Sequence, residues 1–128
     1  MKPRLILVVD DSKTMRRMYE LMLRQYPLLY ADDGRQALER LREREDVELV
    51  LLDVNVQTME AATALLAELR EKPHPPTVVA IATEGSEGSE ERVACALEAG
   101  AMAYIKKPFQ SEELLAVIAQ LEEKPRRE

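Results

Sequence analysis

Short apolar runs alternate with amphipathic segments along the whole chain, and this alternation restricts the fold more than any other feature. The runs have the length of strands and are rich in Val, Ile and Leu. In chain order they are RLILVVD, PLLYADD, VELVLLDV, TVVAIAT and MAYIKKP. Strands that are apolar at nearly every position are typical of a sheet covered on both faces. The pattern therefore predicts strands buried between layers of helices.

A helical pattern follows each run, because apolar residues recur there at spacings of three and four. The fourth helix is predicted to begin at Ser89 and to end at Gly100, and the fifth to be capped by Ser111. The apolar faces predicted for the other four helices are Met15, Met18, Tyr19 and Met22; Ala37, Leu38 and Leu41; Ala62, Leu65, Leu66 and Leu69; and Leu114, Val117, Ile118 and Leu121.

Strict alternation of strand and helix predicts an α/β protein of the (βα)₅ type with a doubly wound parallel sheet. The flavodoxin-like strand order 2-1-3-4-5 is the expected solution for five strands. Ligands of such sheets bind beyond the carboxyl ends of the strands, where the first and third strands are neighbours. The 128 residues suit one domain, predicted over 1–124, with 125–128 as a tail.

Composition narrows the class of partner. The net charge of −6 argues against direct binding of nucleic acid and suits binding of a cation. Cys95 is the only cysteine, so an internal disulfide is impossible and a reducing cytoplasm is expected; on its helix we predict a small core residue. No apolar run approaches the roughly 18 residues of a membrane span, so no membrane contact is expected.

Polar and charged residues stand at the carboxyl end of four predicted strands. Asp10 and Asp11 follow the first strand, and Asp53 follows the third. Thr83 and Lys107 end the fourth and fifth strands. Because these ends lie along one edge of a parallel sheet, we expect the five side chains to share a crevice.

Three carboxylates in one crevice need a counter-charge. Two like charges ~4 Å apart cost roughly 4 kcal/mol at an effective dielectric near 20. Lys107 supplies one positive charge, and Mg²⁺ (or Mn²⁺) would supply two while accepting oxygen ligands. A cation, a lysine, a threonine hydroxyl and a nucleophilic Asp together favour a phosphoryl site. Taken singly, each acid also suits a turn or a helix cap.

The motifs LVVDDSKTMRRM, LLDVN, AIAT and EAGAMAYIKKPF resemble the receiver domain of bacterial two-component response regulators. The likeness is nearest to the stand-alone chemotaxis-type receivers similar to CheY. It covers essentially the whole chain, and its specific part is the ordered set of acidic pair, lone Asp, Thr and Lys-Pro-Phe.

The resemblance implies a role for the polar residues at the carboxyl ends of the strands. Asp53 would accept a phosphoryl group from a phosphohistidine of a sensor histidine kinase or phosphotransfer protein. Asp11 and Asp53 would ligate Mg²⁺ through their side chains, Asn55 through its backbone carbonyl, and Asp10 through a water. Lys107 would pair with Asp53 and then with the phosphoryl oxygens. The chain would be a phosphoacceptor regulator and not an enzyme that turns over a separate substrate.

The resemblance also implies an output. The Thr83 hydroxyl would bind the phosphoryl group, and Tyr104 would turn inward as Thr83 shifts. The changed surface would comprise the fourth helix, fifth strand and fifth helix, and its partner is not specified by the sequence.

Three sites depart from the family pattern. Gln57 stands where a Pro is usual, Glu60 and Ala61 stand where an Asp-Gly or similar pair is common, and Glu84 replaces a small residue after Thr83. These departures keep open a second hypothesis, a pseudo-receiver that binds proteins without phosphorylation. A third, an aspartyl phosphotransferase or phosphatase, is disfavoured because Asn55 stands where such enzymes have an acid.

Overall fold

The computed structural model describes residues 5–55 and 58–123 and has the predicted alternation of elements. The strands are β1 (Leu5–Val9), β2 (Leu28–Ala31), β3 (Val47–Asp53), β4 (Thr77–Thr83) and β5 (Ala103–Lys107). The helices are α1 (Lys13–Met22), α2 (Gly34–Glu43), α3 (Met59–Arg70), α4 (Ser89–Ala99) and α5 (Ser111–Glu123).

The strands form one parallel sheet in the order β2-β1-β3-β4-β5, which confirms the predicted topology. β1 and β3 lie side by side in the middle, so the carboxyl end of β1 is flanked by the ends of β2 and β3. In the outermost pair, Thr83 of β4 lies opposite Lys107 of β5.

Alternate residues of each strand enter two separate cores, one on each face of the sheet. Leu7, Val50 and Ala80 pack with α2, α3 and α4. Ile6 and Leu51 face the other way and pack with α1 and α5. Burial on both faces explains why these strands are apolar throughout.

Three of the helices begin at a side-chain cap, and a fourth follows a glycine, which has no side chain to form one. Side-chain oxygens of Ser12, Asp33 and Thr58 accept backbone N–H bonds in the first turns of α1, α2 and α3. The prediction that α4 begins at Ser89 is confirmed, whereas Ser111, predicted to cap α5, is the first residue of that helix instead. Gly88 is the N-cap of α4, with φ of +79°, and Ser89 is the first helical residue. A left-handed backbone at that position favours glycine, which leaves the serine hydroxyl available for tertiary contacts.

Two further predictions about buried residues need correction. Met18 is 36% exposed at the rim of α1, whereas its neighbour Tyr19 is fully buried. Cys95 is exposed and not a core residue. In the described ranges no helix has both the length and the apolar character needed to cross a membrane. Gln57 and the tail 125–128 lie outside the described residues.

Candidate functional site

At the ends of the strands, the Lys107 ammonium is in direct contact with two of the predicted acids. Asp10 directly follows β1, Asp53 ends β3 and Lys107 ends β5. The Lys107 Nζ donates to Asp10 Oδ2 at 2.9 Å and to Asp53 Oδ2 at 2.7 Å. The side chain of Lys107 is 15% exposed, and those of Asp10 and Asp53 are 2% and 5% exposed. We call these three residues the acidic pocket.

The second oxygen of each buried carboxylate is held by the chain just beyond it. The Ser12 backbone N–H donates to Asp10 Oδ1 at 2.9 Å. The Asn55 backbone N–H donates to Asp53 Oδ1 at 2.8 Å. Both are Asx-type turns, in which an Asp side chain accepts from the N–H two residues on. Each carboxylate is therefore fixed at both oxygens.

The pocket is electrostatically unbalanced. Two carboxylates share one ammonium, so the largely buried group carries one net negative charge when both acids are ionised. Burial raises the pKa of the Asp53 carboxyl, against the bonds from Lys107 and the Asn55 N–H, and the Asp10 charge adds to the rise. Burial opposes the charge on Lys107, but the bonds to Asp53 and Asp10 outweigh it, so the pKa of Lys107 is raised. Further positive charge would relieve the imbalance.

The third predicted acid lies apart from this contact. Asp11 is exposed at the rim, whereas the adjacent Asp10 is buried. Within 5–55 and 58–123, no three Asp, Glu, His or Cys side chains are grouped closely enough to hold a metal ion. The donor chemistry nevertheless fits a hard divalent cation, since buried carboxylate oxygens with unbalanced charge are the ligands that Mg²⁺ prefers. The assignment of Asp11 as a direct ligand stays a prediction.

Asn55 and Thr83 both bond to Ser89, which the sequence pattern marks only as the start of a helix. The Asn55 Oδ1 accepts from the Thr83 backbone N–H at 3.0 Å, and its Nδ2 donates to Ser89 Oγ at 3.1 Å. The Ser89 Oγ donates to the Thr83 carbonyl at 3.1 Å. We call Asn55, Thr83 and Ser89 the amide–hydroxyl triad. A serine after a glycine gives no sequence signal for such a contact.

Arg16 is a second residue that the motifs did not single out. Its Nε donates to the Asp10 backbone carbonyl at 3.0 Å, and its guanidinium pairs with the Asp32 carboxylate. The guanidinium also lies 5.2 Å from the centroid of the Tyr30 ring, a cation–π distance. Arg16 thus fastens the turn after β1 to the end of β2.

A buried phenol lies close to the acidic pocket. Tyr19 is 1% exposed, and its ring centroid is 6.0 Å from that of Phe109. Burial raises the pKa of Tyr19 far above its usual value, with smaller effects from the charges of Asp10 and Asp53. The phenol therefore stays neutral and does not add to the negative charge of the pocket.

An open groove of about 550 Å³ lies at the carboxyl end of β4, between the β4–α4 loop, α4 and β5. Leu97 and Tyr104 line it and are 38% and 48% exposed. Glu84 also lines the groove and is exposed. Its backbone N–H donates to the Lys107 carbonyl at 3.0 Å, which extends the β4–β5 pairing by one residue.

Comparison with known proteins identifies the family. The model of the response regulator receiver domain matches residues 6–119. A chemotaxis protein CheY homologue of Campylobacter jejuni is 35% identical over 107 residues, which cover 81% of each chain. A protein-glutamate methylesterase/protein-glutamine glutaminase of Geobacillus kaustophilus is 37% identical over 113 residues. That match covers 84% of this chain but 31% of the relative.

Solved structures agree with the sequence matches. Vibrio cholerae CheY4 aligns over 92% of this chain and 98% of its own, with a TM-score of 0.73 and 26% identity. A response regulator from Thermotoga maritima aligns over 94% of this chain and 98% of its own with a TM-score of 0.77; at 24% identity, it supports the fold alone. The chain belongs to the response regulator receiver domain family of two-component signalling.

Proposed function

We propose that the chain is a phosphorylation-dependent switch in which Asp53 accepts a phosphoryl group from a phosphohistidine of a sensor histidine kinase or phosphotransfer protein. The observation that carries this proposal is the sharing of Lys107 by Asp53 and Asp10 at the ends of neighbouring strands. Such a pocket holds a carboxylate nucleophile beside a fixed positive charge. The family match over residues 6–119 supports the same role.

The proposed step is an in-line displacement. An Asp53 carboxylate oxygen forms a bond to phosphorus as the P–N bond of the phosphohistidine breaks, and the imidazole leaves with the electron pair. Lys107 donates to Asp53 Oδ2 and would bind a phosphoryl oxygen once charge moves there. The Asn55 N–H on Asp53 Oδ1 fixes the carboxylate plane throughout.

A divalent cation fits the proposal. Asp11 and Asp53 would hold Mg²⁺ or Mn²⁺ by their carboxylates, Asn55 by its backbone carbonyl, and Asp10 through a water. When bound, the cation would supply the positive charge that the phosphoryl oxygens and the pocket lack. The one net negative charge left by Lys107 supports this requirement.

The output would pass through Thr83 and the groove. Thr83 lies opposite Lys107 in the β4–β5 register, so the two residues end neighbouring strands beside the proposed phosphorylation site. Movement of Thr83 would change the groove that it lines with Tyr104, and with it the face formed by α4, β5 and α5. We expect an output protein or domain to bind this face in the cytoplasm.

A second candidate function is a pseudo-receiver that binds proteins without being phosphorylated. The observation that favours it is that Lys107 already neutralises half the charge of the two buried carboxylates. The exposure of Asp11 supports it as well, because the acids are not gathered for a metal.

Incubation with Mg²⁺ and acetyl phosphate distinguishes the two functions. Intact-mass measurement should show one phosphoryl group, located on Asp53 by peptide mapping and absent from Asp53→Asn. Asp11→Asn should slow the reaction strongly, whereas Asp46→Asn, a change at an exposed ion pair, should not. Failure of acetyl phosphate, other small phosphodonors and histidine kinases to label the chain would overturn the switch and favour the pseudo-receiver.

A further inference from the structure

Ser89 is a buried polar residue at the start of α4, and none of the motifs assigns it a role. It is 7% exposed, although it follows a loop whose residues are open to solvent. A polar group is buried in a native protein when hydrogen bonds compensate its loss of water. Here the bonds go to the two residues on either side of the proposed phosphorylation chemistry, Asn55 and Thr83.

Within the amide–hydroxyl triad, the side chains of Asn55 and Ser89 bind both backbone groups of Thr83. The Thr83 N–H donates to the Asn55 carboxamide, and the Thr83 carbonyl accepts from the Ser89 hydroxyl. A Thr83 that shifts toward Asp53 must therefore break these bonds or move Asn55 and Ser89 with it. The triad opposes the movement that the switch requires.

The same triad reaches Asp53 through Asn55. The backbone N–H of Asn55 holds Asp53 Oδ1, while both ends of the Asn55 carboxamide are committed to Thr83 and Ser89. The turn after β3 is held by α4 at a second point, since Arg92 Nη1 donates to the Val54 carbonyl at 3.1 Å. The first turn of α4 is thus connected to the residues that follow the phosphoacceptor.

We infer that Ser89 is a positioning residue that stabilises the unphosphorylated arrangement by holding the Asn55 carboxamide and the Thr83 backbone together. This inference rests on the proposed function of Asp53. Ser89 acts through its neighbours and touches no reacting atom. Removal of its hydroxyl should release Thr83 and favour the phosphorylated arrangement.

The first test compares wild type with Ser89→Ala in the absence of metal and phosphodonor. Amide NMR should show changed shifts for the Thr83 N–H and the Asn55 side-chain NH₂, and faster hydrogen exchange at Thr83. Ser89→Thr, which keeps a hydroxyl, should restore the wild-type values. Ser86→Ala is the matched control, because Ser86 is exposed in the same loop and bonds the Thr83 carbonyl through its backbone N–H, which the change keeps.

The second test measures the switch itself with Mg²⁺ and beryllofluoride, an analogue of the phosphoryl group. Ser89→Ala should reach half-saturation at about fivefold lower beryllofluoride than wild type, as expected for loss of one hydrogen bond that favours the free state. A serine that only supports the start of the helix would lower the melting temperature and leave the midpoint unchanged.

The outcomes separate this inference from the proposed function. Binding of beryllofluoride by wild type, with the same midpoint in Ser89→Ala, would overturn the role of Ser89 and leave the switch intact. Lack of beryllofluoride binding by wild type would overturn the switch, while the metal-free NMR comparison would still test the triad. A higher midpoint in Ser89→Ala would also contradict the inference.

Discussion

The acidic pocket and the surface ion pair of Arg42 with Glu68 use the same chemistry in opposite surroundings. Arg42 donates two hydrogen bonds to Glu68, at 3.1 and 2.9 Å, and their side chains are 63% and 38% exposed. The Lys107 bonds are of similar length, but its partners are almost completely buried. Water screens the surface pair, whereas the pocket has little water to replace a lost partner. Ion pairs with hydrogen bonds of similar length should therefore differ greatly in the free energy of unfolding that is lost when one partner is removed.

The largest effect should come from Lys107→Met. This change leaves two buried carboxylates without their cation, and removal of one partner from a buried pair costs about 3–5 kcal/mol. Urea denaturation at neutral pH should show this loss in the free energy of unfolding. A double variant, Lys107→Met with Asp10→Asn, should recover part of it. A single variant as stable as wild type would contradict the charge balance described for the pocket.

Binding of Mg²⁺ should stabilise the chain by a somewhat smaller amount. A ligand present at 100 times its dissociation constant adds about 2.7 kcal/mol to the free energy of unfolding. The melting temperature should rise with Mg²⁺ and rise much less in Asp53→Asn. Added NaCl at the same ionic strength serves as the control. An equal rise in wild type and variant would show that the cation binds elsewhere.

Asp53 and Lys107, whose pKa values are both raised, should each make the free energy of unfolding fall as pH rises, Asp53 in the acid range and Lys107 in the alkaline range. Burial raises the pKa of Asp53, so the folded chain keeps a proton that the unfolded chain has lost, and stability falls as pH rises from the ordinary 3.8 through the raised value. The raised pKa of Lys107 gives stability that is complete below 10.5 and lost as pH rises through its folded value.

Denaturation of wild type and Asp53→Asn across the acid range checks the first of these windows. The free energy of unfolding of wild type, relative to that of Asp53→Asn, should fall as pH rises. Lys107→Met should lack the alkaline loss. A difference that is constant across the acid range would exclude the raised pKa of Asp53.

The smallest effect is expected at the surface pair. Arg42→Ala, Glu68→Ala and the double variant should unfold at the same urea midpoint as wild type within error, because exposed pairs are screened and their side chains lose rotamer freedom when they pair. A measurable coupling between the two residues in this double-mutant cycle would weaken the comparison with the pocket.

The fold could be predicted from the sequence because the spacing of apolar residues and the order of strands and helices along the chain determine it. Continuous apolar runs require burial on both faces, and parallel strands bring their carboxyl ends to one edge, so Asp10, Asp53 and Lys107 could be placed together in advance. Neither rule gives the direction of a side chain in a turn. Asp10 points inward and the adjacent Asp11 is exposed, a difference that the Asx turn at Ser12 accompanies and that no spacing predicts.

Tertiary contacts account for the other differences. Ser89 has the residue type of a helix cap, yet the left-handed Gly88 takes that position and the hydroxyl turns to Asn55 and Thr83. Met18 and Cys95 lie on helices whose apolar faces are narrower than their patterns indicate, so both reach solvent. These outcomes depend on residues distant in the chain.

The edge position of β5 has a mechanical consequence. Among the strands of the described residues, β5 is hydrogen-bonded to β4 alone, whereas β1 and β3 each have a strand on both sides. Thr83 and Lys107 are register partners across this pair, so a shift of β5 against β4 disturbs one strand pairing, whereas a shift of β1 or β3 would disturb two. The receiver therefore carries Asp10 and Asp53 at the ends of strands that are paired on both sides, and Lys107 on a strand that is paired on one side.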